Sequence, residues 1–122
     1  MGKKDSFFRN FCTKFKSVQR EDSAEAGEEM SGEIVRKKLI FKGEVQFVGF
    51  RFQSRYIADM LGLTGYVENL SNGDVLMEVQ GPIGVIQEMI IRLHQKKPIR
   101  IDSVEEEDMP VKKTEKGFRY MW

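Results

Sequence analysis

The sequence predicts an α+β domain in which two helices pack on one face of an antiparallel sheet. Three observations carry this prediction. Apolar residues alternate with polar ones around Leu39 and Phe41, which indicates a half-buried strand. A strand followed by a helical stretch occurs twice along the chain. Between the two units, β-rich runs flank Asn72-Gly73, the strongest short-range signal of a hairpin.

The first strand and the first helix meet at a bend that contains two glycines. The alternation that begins at Leu39 is predicted to end near Gly43–Gln46. Residues 50–61 contain no Gly or Pro and are predicted to form a helix that Gly62 closes. The predicted apolar face of this helix comprises Phe50, Ile57, Met60 and Leu61.

The second half of the pattern repeats the first. Gly81-Pro82 opens a second helix, with Pro82 suited to the first turn. The apolar stripe of this helix comprises Ile83, Ile86, Ile90 and Leu93. Residues 99–109 are predicted to form a fourth strand, and residues 118–122 a short final one. The order βαββαβ is the split βαβ, or ferredoxin-like, arrangement.

The first third of the chain has a different composition. We expect residues 1–35 to be a flexible charged extension and residues 36–122 to be the folded domain, because the acidic stretch over 21–33 has almost nothing to bury. Residues 1–20 place five apolar residues at helical spacing among lysines, namely Phe7, Phe8, Phe11, Phe15 and Val18. One interpretation is a basic amphipathic helix on an anionic membrane, helped by a loose N-myristoylation pattern at 1–6. The other, which we favour, is an extension that docks on the domain or not at all.

The composition excludes several classes of function. The 122 residues carry a formal net charge of +1, so no overall field favours nucleic acid or membrane. A single cysteine, Cys12, and a single histidine, His94, provide neither an internal disulfide nor a Cys/His metal site. No apolar run approaches the roughly 20 residues that span a bilayer. We therefore expect a cytoplasmic monomer without a metal or another cofactor.

The bend between the first strand and the first helix has the chemistry of an anion site. The amides of Gln46 to Phe50 would be free N–H groups at a helix N-terminus, and Arg51 would add a planar, bidentate donor. Arg51 could equally be a surface residue whose stem covers Phe50 or Phe52. Asn69, at the end of the next strand, could orient a water molecule or could bond its own backbone in a turn.

A resemblance to a known family favours an anion-binding role for Arg51 and a water-orienting role for Asn69. The segments 43-GEVQFVGFR-51 and 65-GYVENLSNGDV-75, closed by Gly81, resemble the two signatures of the acylphosphatase family. The second signature is matched at Gly65, Tyr66, Val67, Asn69, Gly73, Val75 and Gly81. The first is matched at Gly43, Val45, Gln46, Val48, Phe50 and Arg51. The resemblance extends from about Leu39 to Trp122.

The resemblance implies a function and a set of site residues. It implies the ferredoxin-like fold and hydrolysis of small acyl phosphates to a carboxylate and inorganic phosphate. Carried over by position, Arg51 binds the phosphoryl group, the backbone amides of Gln46, Phe47, Val48, Gly49 and Phe50 cradle it, and Asn69 positions the attacking water. No general acid is obligatory, because a carboxylate is a good leaving group.

One position departs from the family pattern. Phe47 stands where the family has a loop glycine. If the backbone there has a positive φ, a bulky residue is strained, and its ring could crowd the phosphate. Either the loop is reshaped, with Gly49 taking up the turn and activity reduced, or the site binds anions without turnover. We expect a weakened enzyme, because Arg51 and Asn69 persist.

A different class of function must also be weighed. Ferredoxin-like sheets occur in RNA-binding domains, and 116-KGFRYMW-122 faintly resembles their basic, glycine and aromatic strand motif. Arg119 stands where that motif has a small residue, and no helix follows. We expect no nucleic-acid partner and interpret the segment as a strand that buries alternate aromatic residues.

Overall fold

The computed structural model describes residues 32–121 as five strands and two helices. These elements are β1 (Ile34–Glu44), α1 (Phe50–Leu61), β2 (Thr64–Asn69), β3 (Val75–Pro82), α2 (Ile83–His94), β4 (Arg100–Met109) and β5 (Phe118–Tyr120). The predicted first helix is confirmed at both ends. Gly62 closes it, because its left-handed backbone lets its N–H reach back to the last helical carbonyls. Pro82 ends β3 in an extended conformation, so α2 begins one residue later than predicted.

The sheet has the strand order β4-β1-β3-β2-β5. The pairs among β1, β2, β3 and β4 are antiparallel, as predicted. The expectation of a wholly antiparallel sheet is wrong for one pair, because β5 runs parallel to β2. The chain leaves β4 at one edge of the sheet and crosses to the opposite edge through residues 110–117, and this crossing sets the direction of β5.

The hydrophobic core lies between the sheet and the two helices. Alternate residues of the central strands are fully buried, namely Leu39, Phe41, Val75, Met77 and Val79. The helices contribute Phe50, Ile57, Ile86, Met89, Ile90 and Leu93. The prediction that Met60 belongs to the buried face is wrong, since 60% of its side chain is exposed. Met60 lies in the last turn of α1, on the side that faces solvent.

Two of the glycines in the resemblance are required by close backbone approach. A Cβ on Gly43 would lie 2.3 Å from the carbonyl oxygen of Arg100, where the register of β1 and β4 shifts. A Cβ on Gly65 would lie 1.9 Å from the carbonyl oxygen of Glu78. Both residues also have a positive φ, which side chains rarely adopt. Glycine at these positions therefore lets β1 approach β4 closely next to the bend, and β2 approach β3 closely at the opposite end of the sheet.

A buried ion network lies on the other face of the sheet. Arg36, three residues before Leu39, points away from the helices and is only 1% exposed. Its guanidinium donates to Glu78 at 2.9 Å and to Glu115 at 2.7 and 3.1 Å. Glu115 belongs to the crossing segment, so the network fastens residues 110–117 across the open face of the sheet.

Residues 1–31 and Trp122 lie outside the described part of the chain. The interpretations of residues 1–20, and the assignment of residues 1–35 as an extension, therefore stay predictions. Neither helix in residues 32–121 is long and apolar enough to cross a membrane. The segment with the faint RNA-binding motif contains β5, an edge strand that buries Phe118.

Candidate active site

The bend between β1 and α1 is a five-residue loop, residues 45–49, anchored by buried apolar residues. Val45 and Phe50, on either side of the turn, are each 1% exposed. The ring of Phe50 contacts the ring of Phe41 with centroids 4.9 Å apart. Val48 also packs against the core from within the loop. The apolar residues of the bend thus fix the loop, while its backbone remains at the surface.

The Gln46 side chain ties this loop to the hairpin loop between β2 and β3. Its amide nitrogen Nε2 donates to the carbonyl oxygens of Leu70 at 2.7 Å and Asp74 at 2.8 Å. Leu70 directly follows Asn69, so the tie sets the position of the loop relative to the end of β2. The sequence prediction assigned only the backbone of Gln46 to the site and missed this role of its side chain.

Two residues of the loop have left-handed backbone. Phe47 has φ 62° and is the one non-glycine residue with a positive φ among residues 32–121. Gly49 has φ 82° and precedes the first turn of α1. The positive φ considered for Phe47 is therefore present, and Gly49 also has left-handed backbone. The Phe47 side chain points into solvent with 96% of its surface exposed.

The amides of residues 46–50 form a group of available donors. Within the described chain, none of these five N–H groups donates to a protein acceptor. They lie at the N-terminus of α1, where the helix dipole places partial positive charge. The first turn of α1 contains no acidic residue. Five N–H groups without a protein acceptor therefore lie at the positive end of a helix, a location that favours anions.

A nearby carboxylate is neutralised and does not oppose an anion. Asp74 accepts a hydrogen bond from Lys42 Nζ at 2.7 Å and one from Asn72 Nδ2 at 3.2 Å. The hydrogen bond to Asp74 raises the pKa of Lys42 above its ordinary value, so the lysine stays charged beside the carboxylate. Lys42 and Asp74 thus form a neutral pair next to the hydrogen bonds that Gln46 donates to the hairpin loop.

Arg51 lies in the first turn of α1 and is held by the last strand. Its Nη1 donates to the carbonyl oxygen of Met121 at 2.5 Å, and its Cζ lies 5.9 Å from the centre of the Tyr120 ring. Arg55, one turn later, lies 5.8 Å from the same ring. The Arg51 guanidinium thus contacts the last residue of β5 and the residue after it, which the sequence did not predict. Such contacts limit the positions that the guanidinium can adopt beside the loop.

Asn69 is the last residue of β2 and pairs with Val75. Its Oδ1 is buried and has no hydrogen-bond partner in the described chain. A buried acceptor without a donor is unfavourable unless a water or a ligand supplies one. The turn that Asn69 might have capped is made by Asn72 instead, whose Oδ1 accepts from Asp74 N at 3.0 Å. The Oδ1 of Asn69 therefore lacks a donor among the described residues.

Several contacts place these groups near one another. Gln46 bonds the residue after Asn69. Arg51 bonds the carbonyl of Met121, whose own N–H donates at 2.7 Å to the carbonyl of Val67, two residues before Asn69. Gln46 and Arg51 are thus both linked to the region around Asn69, Gln46 directly through Leu70 and Arg51 through Met121 and Val67. No group of three or more His, Cys, Asp or Glu side chains within residues 32–121 could hold a metal ion.

The fold is a ferredoxin-like α+β domain, and the amides of the loop at the N-terminus of α1 have no protein acceptor among the described residues. The sequence matches the family model described as Acylphosphatase over residues 37–120. The chain therefore belongs to the acylphosphatase family.

Individual relatives agree with this assignment. An acylphosphatase of Clostridium perfringens (strain SM101 / Type A) is 42% identical over 86 residues, which cover 70% of this chain and 97% of the relative. The structure of an acylphosphatase from Coxiella burnetii superposes with a TM-score of 0.65 at 30% identity, covering 72% of this chain and 93% of the other. The acylphosphatase from Bacillus subtilis, 23% identical, shares the fold with a TM-score of 0.66 and covers 74% of this chain and 100% of its own.

Proposed function

We propose that the protein hydrolyses small acyl phosphates at the loop of residues 45–49. The observation that carries the proposal is the group of five amide N–H donors beside Arg51 at the N-terminus of α1. A phosphoryl group placed there receives backbone N–H donors and a guanidinium fork, which together balance its charge. Family membership supports the choice of an acyl phosphate over other phosphate compounds.

The proposed reaction needs few groups beyond these. The oxygen of water forms a bond to phosphorus while the bond from phosphorus to the acyl oxygen breaks. The electron pair of the broken bond leaves with the carboxylate, and both protons of the water end on inorganic phosphate. Because the transition state is loose, positioning and charge stabilisation supply most of the catalysis.

In this proposal Asn69 orients the water. A water that donates one hydrogen to the buried Oδ1 of Asn69 keeps a lone pair for attack on phosphorus. Because its orientation is fixed, the entropic part of the barrier is lower. Neither the loop nor the first turn of α1 carries an acid, a histidine or a lysine. We therefore assign the role of proton acceptor to a phosphoryl oxygen of the substrate.

The second candidate, an anion-binding protein without turnover, rests on Phe47. Two features of the loop favour hydrolysis instead. The positive φ is present although the residue is bulky, so the side chain has not forced the backbone into another conformation. The ring is almost fully exposed and does not cover the amides from within the fold. We expect the loop to keep its donors and the enzyme to turn over.

The test is phosphate release from benzoyl phosphate. We expect the wild type to exceed the rate in buffer, and Arg51→Lys to lower kcat by about 10²–10³-fold, since lysine cannot supply the bidentate fork. Arg55→Lys is the matched control, because Arg55 lies one turn away beside the same Tyr120 ring. An Arg55→Lys variant as impaired as Arg51→Lys would contradict the assigned role.

Asn69 has its own matched control on the same hairpin. Asn69→Ala should lower kcat by about 100-fold with inorganic phosphate still bound, because positioning of the water is lost. Asn72→Ala removes an amide that only shapes the turn and should leave kcat unchanged. If orthophosphate left the NMR amide signals of residues 46–51 unmoved, the binding site itself would be wrong.

A further inference from the structure

Phe47 combines two costly features that the folded domain does not use. A bulky residue with φ 62° is strained, and strain of this kind is concentrated at functional sites. Its ring is 96% exposed, so it adds almost nothing to the core. An exposed aromatic ring on a strained backbone suggests that the ring contacts a ligand or a partner outside the domain.

The neighbouring side chains show where the ring lies in the loop. Gln46 turns toward the hairpin loop, and Val48 packs against the core. Phe47, between them, projects outward from the backbone whose amides are available to a phosphate. The ring therefore stands at the rim of the loop. If the loop holds the phosphoryl group, as proposed above, the attached acyl group must extend outward past this rim.

We propose that Phe47 forms a subsite for the acyl group and favours apolar, planar acyl groups over small ones. An aromatic ring at the rim can stack on an aryl group and remove both surfaces from water. A methyl group, as in acetyl phosphate, offers little area for the same contact. The subsite rests on the proposed function, because it needs the phosphate in the loop.

A separate row of exposed apolar residues provides the control. Phe52, Tyr56 and Met60 lie along the outer face of α1. The rings of Phe52 and Tyr56 are stacked, with their centroids 6.4 Å apart and an angle of 12° between their planes. Phe52 is 61% exposed but belongs to the helix and not to the loop. A docked membrane or protein would use both Phe47 and Phe52, whereas an acyl subsite at the rim depends on Phe47 alone.

The experiment compares kcat/KM for benzoyl phosphate with that for acetyl phosphate in four proteins. They are the wild type, Phe47→Asn, Phe47→Tyr and Phe52→Ala. Asparagine tolerates a positive φ but has no ring, so we expect the ratio to fall about 2- to 12-fold. Phe47→Tyr keeps an aromatic ring and should keep the wild-type ratio. Phe52→Ala should also leave the ratio unchanged. Inhibition by orthophosphate should be equal in the wild type and Phe52→Ala.

Binding gives a second measurement that does not need turnover. The ratio of the Kd values of benzylphosphonate and methylphosphonate should shift in Phe47→Asn by the same factor. An unchanged ratio, or an equal change in Phe52→Ala, would overturn the subsite. If no variant released phosphate from either substrate, the proposed hydrolysis would fail, and the phosphonate ratio would still decide whether Phe47 recognises the apolar group.

Discussion

At position 47 a phenylalanine occupies backbone that glycine adopts more readily, and the strain should be measurable. Left-handed backbone costs an ordinary residue about 1–2 kcal/mol, while glycine loses about 0.5–1 kcal/mol through the freedom of its unfolded chain. We therefore expect Phe47→Gly to raise the free energy of unfolding by up to about 1 kcal/mol. Urea denaturation followed by circular dichroism measures this difference.

Gly49 allows the opposite substitution in the same loop. It has φ 82°, and an added Cβ would meet no atom within 4 Å, so Gly49→Ala changes the backbone preference without a steric clash. We expect Gly49→Ala to lower the free energy of unfolding by about 1 kcal/mol. Equal stabilities for both variants and the wild type would show that the loop carries no such strain.

The positions of single residues were predictable where they follow from a local pattern. Arg51 and the amides around it follow from the start of a helix, which the sequence marks by a glycine and an apolar pattern. The Gln46 side chain was not predictable, because its acceptors are 24 and 28 residues away in the hairpin loop. The contacts of Arg51 with Tyr120 and Met121 depend on how β5 docks, which no periodicity encodes.

At the scale of the elements, the Gln46 tie connects the loop before α1 to the hairpin loop. Gln46→Leu removes two hydrogen bonds and leaves two carbonyl oxygens without that donor. We expect the free energy of unfolding to fall by about 1–3 kcal/mol and the affinity for orthophosphate to weaken, because the loop is no longer held against the end of β2. Denaturation and NMR titration of residues 46–51 measure the two effects.

A second glutamine serves as the reference for this substitution. Gln87 is half-buried on α2, outside both loops. Gln87→Leu should leave the affinity for orthophosphate unchanged. Were Gln46→Leu to bind orthophosphate like the wild type, the tie would stabilise the fold without shaping the site.

The elements that the sequence predicted best have strong local signals. α1 was located at both ends because residues 50–61 lack Gly and Pro and Gly62 follows them. The parallel pairing of β5 was missed, since a strand of three residues carries too little pattern to define its partner or its direction. Met60 was misplaced because it follows Phe52 and Tyr56 at four-residue spacing, on the outer face of α1.

At the scale of the whole molecule, the Arg36 network joins residues far apart in sequence and makes stability depend on pH. Burial alone would raise the pKa of Glu115, but hydrogen bonds from Arg36 and its charge hold that pKa below the ordinary value of 4.5. A carboxyl whose pKa is lowered by folding stabilises the protein above its unfolded pKa. This stabilisation is lost as the pH falls through the lower folded pKa.

Glu115→Gln tests this dependence. Because a hydrogen bond to a charged group is lost, we expect the free energy of unfolding at pH 7 to fall by about 1.5–3 kcal/mol. The difference from the wild type should shrink as the pH falls from 4.5 through the lower folded pKa of Glu115. Glu107→Gln, at an exposed position on β4, should show a small effect at every pH. A difference for Glu115→Gln that stayed constant down to pH 2 would contradict the assignment.

The contact between Arg51 and Met121 joins two residues that are 70 positions apart. A ribosome makes α1 and the hairpin long before it releases β5, because a chain is synthesised from its N-terminus. A nascent chain at that stage has the amides of the loop but lacks the backbone carbonyl that the arginine contacts. The geometry described above can therefore form only after β5 and Met121 have been synthesised.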